Sequence, residues 1–176
     1  GERVLIHGAA GGVGLAAVQI AVHLGLEVYA TAGAPEKHHF LRRLGVKHIF
    51  SSRSLSFADD IMEATEGKGL DCVLKSLAGE AISAGVSLLK PFGRFIELGK
   101  RDFYADTPMR LRPFSNNLSY FGVDVDQMLI HQPALSRTLF SELMDLFVQR
   151  KLVPLPHTVY PACRAAGGFQ ATQRAA

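Results

Sequence analysis

Short apolar runs and longer amphipathic segments take turns along the chain, and each pattern predicts one kind of element. The apolar runs are short and bounded by Gly, Pro and Ser, which is typical of buried strands. They are "VLI" at 4–6, "EVYAT" at 27–31, "VKHIFSS" at 46–52, "LDCVLKSL" at 70–77, "RFIELGK" at 94–100 and "LSYFGVDV" at 118–125. Segments with helical spacing lie at 12–24, 35–45, 56–69, 79–93 and 133–149. The tail predicts a further strand, "HTVYP" at 157–161, and a last helix.

The predicted strands are apolar throughout rather than at alternate positions. This is typical of strands that are covered on both faces. Because such strands alternate with helices, the sequence predicts an α/β fold, a doubly wound parallel sheet of the Rossmann type in a single domain over residues 1–176. We expect the run "LSYFGVDV" to form an edge of that sheet.

Local signals sharpen the prediction for individual helices. Ser56 is the expected N-cap of the third helix, and Pro91 and Gly93 are expected to stop the fourth. The connection at 99–117 is long, which predicts a functional segment or a short helix. In the first helix, the spacing allows one face to be shared by Val13, Ala17, Ile20, Ala21 and Leu24.

Composition and charge exclude several classes of function. The net charge is only +3 and the cations are scattered, so nucleic acid is a poor expectation as a partner. No apolar run is long enough to span a membrane. The only two cysteines, Cys72 and Cys163, form no CxxC motif and no metal-ligand spacing. One disulfide remains open, but we expect a reduced, cytoplasmic protein without a metal.

A glycine-rich turn joins the first predicted strand to the first predicted helix. In "HGAAGGVGLAAVQIA" the glycine spacing G-x-G-x-x-G places Ala9 in the first slot and Gly11 and Gly14 in the others. Glycines there allow a pyrophosphate to approach the unpaired amides at a helix N-terminus. The alternative is an ordinary strand-to-helix turn of another doubly wound protein. We expect cofactor contacts from Ala10, Gly11, Gly12, Val13 and Gly14.

The acidic residue that normally binds the ribose of NAD is missing at the end of the second strand. That strand ends at Thr31, and the nearby charges are the cations Lys37 and Arg53. Cations beside neutral residues suit the 2′-phosphate of NADPH. We therefore predict NADPH as the cofactor, with contacts from Thr31, Lys37 and Arg53; the alternative is that both cations are ordinary surface residues.

Four blocks of sequence carry a resemblance to a known family. "GAAGGVGLAAVQIA", "VLKSLAGEAI", "GRFIELGKRD" and "LSYFGVDVDQM" resemble the enoyl reductase domains of polyketide synthases and animal-type fatty acid synthases, within the medium-chain dehydrogenase/reductase superfamily. The resemblance implies NADPH-dependent reduction, without a metal, of an enoyl thioester carried on acyl carrier protein. It also implies other domains of the same megasynthase as partners, and homodimerisation through the sheet edge is a further hypothesis.

The resemblance also implies roles for particular residues. Lys100 matches a position proposed to protonate the α-carbon or polarise the thioester carbonyl, and Asp126 one that orients Lys100 or relays a proton. The alternatives are a surface residue for Lys100 and a helix N-cap for Asp126. Further cofactor contacts are expected at Ser76, Leu77, Leu98, Gly99, Phe121 and Val123.

The chain departs from the family pattern in two respects. Lys75 stands where the family usually has Asn, and it is expected to face the cofactor cleft, where it could contact a phosphate or the ribose or obstruct the cofactor. In the family a β-rich substrate domain precedes the first strand. We therefore expect the chain to be the cofactor-binding subdomain of a larger reductase, weakly active or inactive alone.

Two other functions remain open at the level of sequence. A quinone oxidoreductase shares the glycine turn and the preference for NADPH, although the "SLAGEAI" and "ELGKRD" blocks favour the enoyl reductase. A nucleotide-binding, scaffold or dimerisation module without catalysis is the third candidate, and Lys75 is the residue that favours it.

Overall fold

A six-stranded, all-parallel sheet with strand order 3-2-1-4-5-6 organises the chain. The computed structural model describes residues 1–75 and 81–175. The strands are β1 (Arg3–Ile6), β2 (Glu27–Ala32), β3 (His48–Ser51), β4 (Leu70–Lys75), β5 (Leu89–Glu97) and β6 (Ser119–Gly122). This order is that of a Rossmann domain and confirms the predicted doubly wound fold. β6 lies at the edge, as the sequence predicts.

Helices connect the strands and cover parts of both faces of the sheet. They are α1 (Gly12–His23), α2 (Pro35–Arg43), α3 (Phe57–Ala64), α4 (Ala81–Ser87), α5 (Lys100–Tyr104), α6 (Val125–His131), α7 (Pro133–Val148) and α8 (Ala165–Ala175). Two 3-10 helices lie at Arg112–Asn116 and Ala162–Arg164. The long connection after β5 therefore contains a short α-helix and a 3-10 turn, as expected. None of the described helices is both long and apolar enough to cross a membrane.

Two apolar clusters form the core, one on each face of the sheet. The first joins α1 and α2 to β1 and β2, and the second joins α3 and α4 to β1, β4 and β5. Because the strands are buried on both faces, their side chains are apolar at successive positions. Leu5 and Phe95, both without exposed surface, represent the second cluster on β1 and β5.

Helix α1 has the predicted shared apolar face, since all five predicted residues border one groove, but much of that face is exposed. Its buried residues are Gly14, Leu15, Val18 and Ala21, because α1 packs towards β2. Of the predicted five, Val13, Ile20 and Leu24 are exposed. These residues border an apolar groove of about 380 Å³ over β1, β4 and β5.

One local prediction is confirmed in position, and two are wrong. Ser56 is the N-cap of α3, as predicted, although its hydroxyl makes no capping hydrogen bond and instead contacts that of Ser54 at 2.7 Å. Pro91 and Gly93 do not end a helix: α4 ends at Ser87, and both residues lie inside β5, where the pairing with β4 shifts register. Residues 157–161 form no strand. Pro and Gly in β5 mark an irregularity of the strand, a signal that also resembles a helix stop.

Candidate functional site

The turn between β1 and α1 presents a helix N-terminus at the carboxyl edge of the sheet. Gly8 has a φ of 61°, and the Gly11 N–H donates to the Gly8 carbonyl at 2.9 Å. Gly11 is the N-cap of α1, and no side chain caps the helix. The first turn contains no acidic residue. The first amides of a helix have no partner within it, so this turn can receive an anion.

Two glycines of the turn differ sharply in the space around them. A Cβ on Gly14 would lie 2.4 Å from the Gly8 carbonyl oxygen and 2.5 Å from Ala9 Cα. Glycine is therefore required where α1 crosses the turn. A Cβ on Gly12 would meet no protein atom within 4 Å. The open side of the turn thus lies at Gly12, next to the exposed Gly11 and Val13.

Thr31 supports the glycine turn by hydrogen bonds to its backbone. Its side chain has no exposed surface, its hydroxyl accepts a hydrogen bond from the Gly8 N–H at 3.2 Å, and its carbonyl accepts from the Ala9 N–H at 3.0 Å. The same hydroxyl lies 3.2 Å from His7 Nδ1. Thr31, which the sequence predicts as a cofactor contact, therefore braces the backbone of the glycine turn.

His7 is a buried neutral histidine at the end of β1. Burial and, to a smaller extent, the positive charge of Lys75 lower its pKa to about 4. Its ring meets that of Phe57 edge-on, with the centroids 5.0 Å apart. Because Thr31 accepts from Gly8, its hydroxyl proton can be donated to the neutral ring at Nδ1. His7 thus belongs to the support of the turn.

The second candidate region is the end of β2, where a dinucleotide-binding fold normally places its acidic residue. A Cβ on Gly33 would lie 3.3 Å from Ser52 Oγ and 3.8 Å from Arg53 Nε. The Arg53 side chain therefore lies against the end of β2. Lys37 lies in the first turn of α2, and both cations are exposed. Within the described ranges neither forms an ion pair.

The third candidate region brings Lys100 and Asp126 together, as the resemblance implies. Lys100 is the first residue of α5, and its Nζ contacts Asp126 Oδ2 and lies 2.8 Å from Asp124 Oδ1. Asp124, which the sequence reasoning missed, is the N-cap of α6 and accepts from the Asp126 N–H at 3.0 Å. The alternative of Asp126 as the N-cap is wrong. The sequence pattern that could have identified Asp124 is an acidic residue directly before an apolar helical run.

The two carboxylates determine the charge state of Lys100. Hydrogen bonds to Asp124 and Asp126 raise the pKa of its ammonium well above the usual range. The hydrogen bond from Lys100 lowers the pKa of Asp124, against a smaller opposing effect of burial. The Lys100 side chain nevertheless keeps about a third of its surface exposed. The geometry therefore holds a permanent cation at the cleft, which suits electrostatic stabilisation better than proton donation.

Lys75 does not face the cofactor cleft, and this prediction is wrong. Its side chain has no exposed surface, and its Nζ lies 3.2 Å from Glu97 Oε2 and 3.3 Å from Asp102 Oδ2. The register of the sheet pairs Lys75 with Glu97. Since a buried cation is strongly stabilised by a nearby carboxylate, the side chain turns towards β5 and α5. Lys75 neither contacts the cofactor cleft nor obstructs it.

The remaining predicted residues lie at the ends of the strands. Leu98 and Val123 follow β5 and β6, and their N–H groups donate at 2.9 Å to the carbonyls of Lys75 and Glu97. The Gly99 N–H donates to Glu97 Oε1 at 2.7 Å. Phe121 is about half exposed. Ser76 and Leu77 lie outside the described residues.

The parallel strands bring these regions to one edge. The ends of neighbouring strands are in register, with Ile6 beside Ala30 and Leu74, and Glu97 beside Lys75 and Gly122. Ligands of doubly wound proteins bind outside this edge. Within residues 1–75 and 81–175, no three His, Cys, Asp or Glu side chains are grouped so as to hold a metal ion.

Comparison with known proteins agrees with this arrangement. Residues 12–147 match the zinc-binding dehydrogenase family. A phenolphthiocerol/phthiocerol polyketide synthase of Mycobacterium tuberculosis is 49% identical over 97% of the chain, which spans only 8% of that synthase.

Two solved structures extend the comparison. The nucleotide-binding subdomain of the enoylreductase domain of PpsC from Mycobacterium tuberculosis is 51% identical, with a TM-score of 0.82 over 88% of this chain and 87% of that one. A quinone oxidoreductase from Thermus thermophilus, also solved in complex with NADPH, is 30% identical, with a TM-score of 0.81 over 99% of this chain and 55% of that one. The chain therefore belongs to the zinc-binding dehydrogenase family and, within it, to the nucleotide-binding subdomains of polyketide synthase enoyl reductases.

Proposed function

We propose that the chain is the NADPH-binding subdomain of an enoyl reductase. The complete enzyme reduces the 2,3 double bond of an enoyl thioester on acyl carrier protein during polyketide chain extension. The observation that carries the proposal is the shared edge: the glycine turn, Arg53 and Lys100 all lie at the carboxyl ends of the parallel strands. The similarity to enoyl reductase subdomains supports the reaction class. Residues 1–176 then form one part of a reductase whose acyl pocket needs a further domain.

The residues of the edge fit a dinucleotide. The backbone amides at Gly12 and Val13 would hold the pyrophosphate, because the turn is open at Gly12 and closed at Gly14, whereas the Gly11 N–H donates to the Gly8 carbonyl. Arg53, beside the end of β2, and Lys37, in the first turn of α2, would bind the 2′-phosphate, because β2 ends without the acidic residue that selects NAD. The quinone oxidoreductase with 30% identity, solved in complex with NADPH, supports the same choice of cofactor.

Lys100 supplies the electrostatic part of the reaction. NADPH, when bound, would supply the hydride that adds to the β-carbon of the enoyl thioester. Negative charge then develops on the thioester oxygen, and the Lys100 ammonium stabilises it. Asp124 and Asp126 keep that ammonium charged and oriented, and the α-carbon takes its proton from another donor in the complete enzyme. We therefore assign carbonyl polarisation to Lys100 rather than direct protonation, because two carboxylates hold its ammonium in the charged form.

Substitution of Arg53 tests the cofactor. An Arg53→Ala variant loses charge-assisted hydrogen bonds to the 2′-phosphate, so its affinity for NADPH should fall about 10- to 100-fold. Its affinity for NADH should not change. Lys47→Ala, which removes an exposed cation just before β3 at the opposite edge, is the matched control. Calorimetric titration of the wild type and both variants with each cofactor gives the six affinities needed. Equal loss for both cofactors, or no loss, would contradict the assignment of Arg53.

The complete reductase tests the catalytic residues. A Lys100→Ala, Asp126→Ala double variant should reduce kcat on a carrier-bound enoyl thioester by about 10²-fold or more, because the charge that stabilises the developing oxyanion is lost. The KM for NADPH should stay the same. Wild-type turnover in this variant would contradict the roles proposed for Lys100 and Asp126. Turnover of a quinone by the same enzyme, with no reduction of the thioester, would favour the quinone oxidoreductase alternative.

A further inference from the structure

A buried ion cluster lies directly behind the turn that presents Lys100. It consists of Lys75, the last residue of β4, Glu97, the last residue of β5, and Asp102 in α5. The side chains of Lys75 and Glu97 have no exposed surface, and that of Asp102 is 8% exposed. The Lys75 ammonium lies 3.2 Å from Glu97 and 3.3 Å from Asp102. A single cation thus joins two strands and the helix that follows them.

Both ends of α5 are attached to this cluster. At the start, Glu97 Oε1 accepts the Gly99 N–H at 2.7 Å, and Gly99 is the N-cap of α5. At the end, Asp102 Oδ1 accepts the Thr107 hydroxyl and the Asp102 carbonyl accepts the Thr107 N–H, both at 3.1 Å. The backbone of Lys75 adds a further link, since its carbonyl accepts the Leu98 N–H at 2.9 Å.

We propose that Lys75 is a positioning residue for Lys100. Its buried ammonium holds the turn from Glu97 to Asp102 in the one shape that brings the Lys100 side chain to Asp124 and Asp126. The effect of this positioning on the reaction rests on the function proposed above, whereas its effect on the shape of the turn does not. Lys75 itself is enclosed and does not reach the cleft.

The physical basis is the shortness of α5 and the burial of the charges. A helix of five residues is too short to be stable without tertiary contacts. Moving Glu97 away from Lys75 would separate two enclosed charges of opposite sign, so alternative shapes of the turn are strongly disfavoured. Asparagine, which the family resemblance predicts at this position, is uncharged and shorter and cannot neutralise the two carboxylates. Lys75, Glu97 and Asp102 therefore act as a set.

Amide hydrogen exchange on the 176-residue chain tests the proposal. In Lys75→Met, exchange of the amides of residues 98–104 should accelerate at least about tenfold more than exchange of the β1 and β2 amides, which report global unfolding. Lys90→Met is the matched control, because Lys90 also joins β5 to β4, through Asp71 at 2.7 Å, but at the opposite end of the sheet. Lys75→Arg, which keeps the cation, should restore much of the protection.

The reactivity of the Lys100 amine provides a second readout. If the turn loses its shape, Lys100 separates from Asp124 and Asp126, so the pH midpoint of its reductive methylation should move downward. The midpoint should not move in Lys90→Met. If Lys75→Met does not fold, the same measurements are made on Lys75→Met, Glu97→Gln, Asp102→Asn, which leaves no ionised group in the cluster.

Two results would overturn the proposal. One is an unchanged Lys100 midpoint and unchanged exchange at residues 98–104 in a folded Lys75 variant. The other is the same acceleration of exchange throughout the sheet, which would show a general effect on stability only. An NADPH titration on the same samples distinguishes failure of the proposed function from failure of the positioning role proposed for Lys75. Failure of the wild-type chain to bind would contradict the proposed function and leave the result on the turn intact.

Discussion

Two lysines near the carboxyl edge each contact two carboxylates, yet they differ in almost every physical respect. Lys75 is enclosed with Glu97 and Asp102, whereas Lys100 keeps 35% of its side chain exposed beside Asp124 and Asp126. In the enclosed cluster the cost of burying charge is large, and the charges hold the fold together. In the open cluster the solvent screens the charges, so their contribution to stability is small and they remain available to a ligand. A cation between two carboxylates is thus enclosed and structural in one place, whereas in the other it is open to a ligand.

Loss of the buried lysine should have the largest effect on stability. Lys75→Met removes a cation that lies against two buried carboxylates, so the free energy of unfolding should fall by about 3–5 kcal/mol. Lys90→Met removes a partly exposed ion pair with Asp71 and should cost less than about 1 kcal/mol. Urea unfolding of both variants measures the difference. Equal losses of unfolding free energy in the two variants would show that burial does not make one ion pair more important for stability than the other.

The pKa values of Glu97 and Asp124, one carboxylate from each cluster, should be shifted in opposite directions. Burial raises the pKa of Glu97 above its ordinary 4.5, against the Gly99 N–H and the charge of Lys75. The hydrogen bond from Lys100 lowers the pKa of Asp124 below its ordinary 3.8. Carbon-13 NMR of the side-chain carboxyls should therefore give a midpoint above 4.5 for Glu97 and below 3.8 for Asp124. The reverse order would contradict the comparison.

The two shifts also have opposite consequences for stability. The folded state of Glu97 binds its proton more tightly than the unfolded state, so its contribution is present below pH 4.5 and is lost as the pH rises through the folded pKa. The contribution of Asp124 is present above pH 3.8 and is lost as the pH falls through the folded pKa. An Asp124→Asn variant should accordingly show a weaker loss of stability than the wild type on acidification below about pH 4.

The smallest effect on stability is expected at Lys100. A Lys100→Met variant should keep the wild-type midpoint of urea unfolding, because its ammonium is open to solvent and screened. Asp124 continues to cap α6 in this variant through the Asp126 N–H. A large fall in the midpoint would show that Lys100 is structural and would weaken its proposed part in the reaction.

The sequence predicts the fold well because its signals are local and repeated. Apolar strands alternating with helices give the parallel sheet, and the glycine spacing at Gly11 and Gly14 locates the turn at the end of β1. The buried cluster could not be predicted, because Lys75 meets Asp102 across 27 positions of the chain. The exposure of the predicted α1 face could not be foreseen for a similar reason: periodicity gives an apolar face, but packing against β1 and β2 decides which residues are covered. Pro91 and Gly93 were misleading because they serve an irregular strand and a helix stop equally well.

The most direct test of the account is the affinity of the purified chain for NADPH and for NADH. An open glycine turn with Arg53 and Lys37 in place of an acidic residue predicts that NADPH binds at least about tenfold more tightly, through charge-assisted contacts to its 2′-phosphate. Calorimetric titration of both cofactors under identical salt conditions measures the ratio. Equal affinities would contradict the assignment of NADPH, and binding of neither cofactor would contradict the nucleotide site itself.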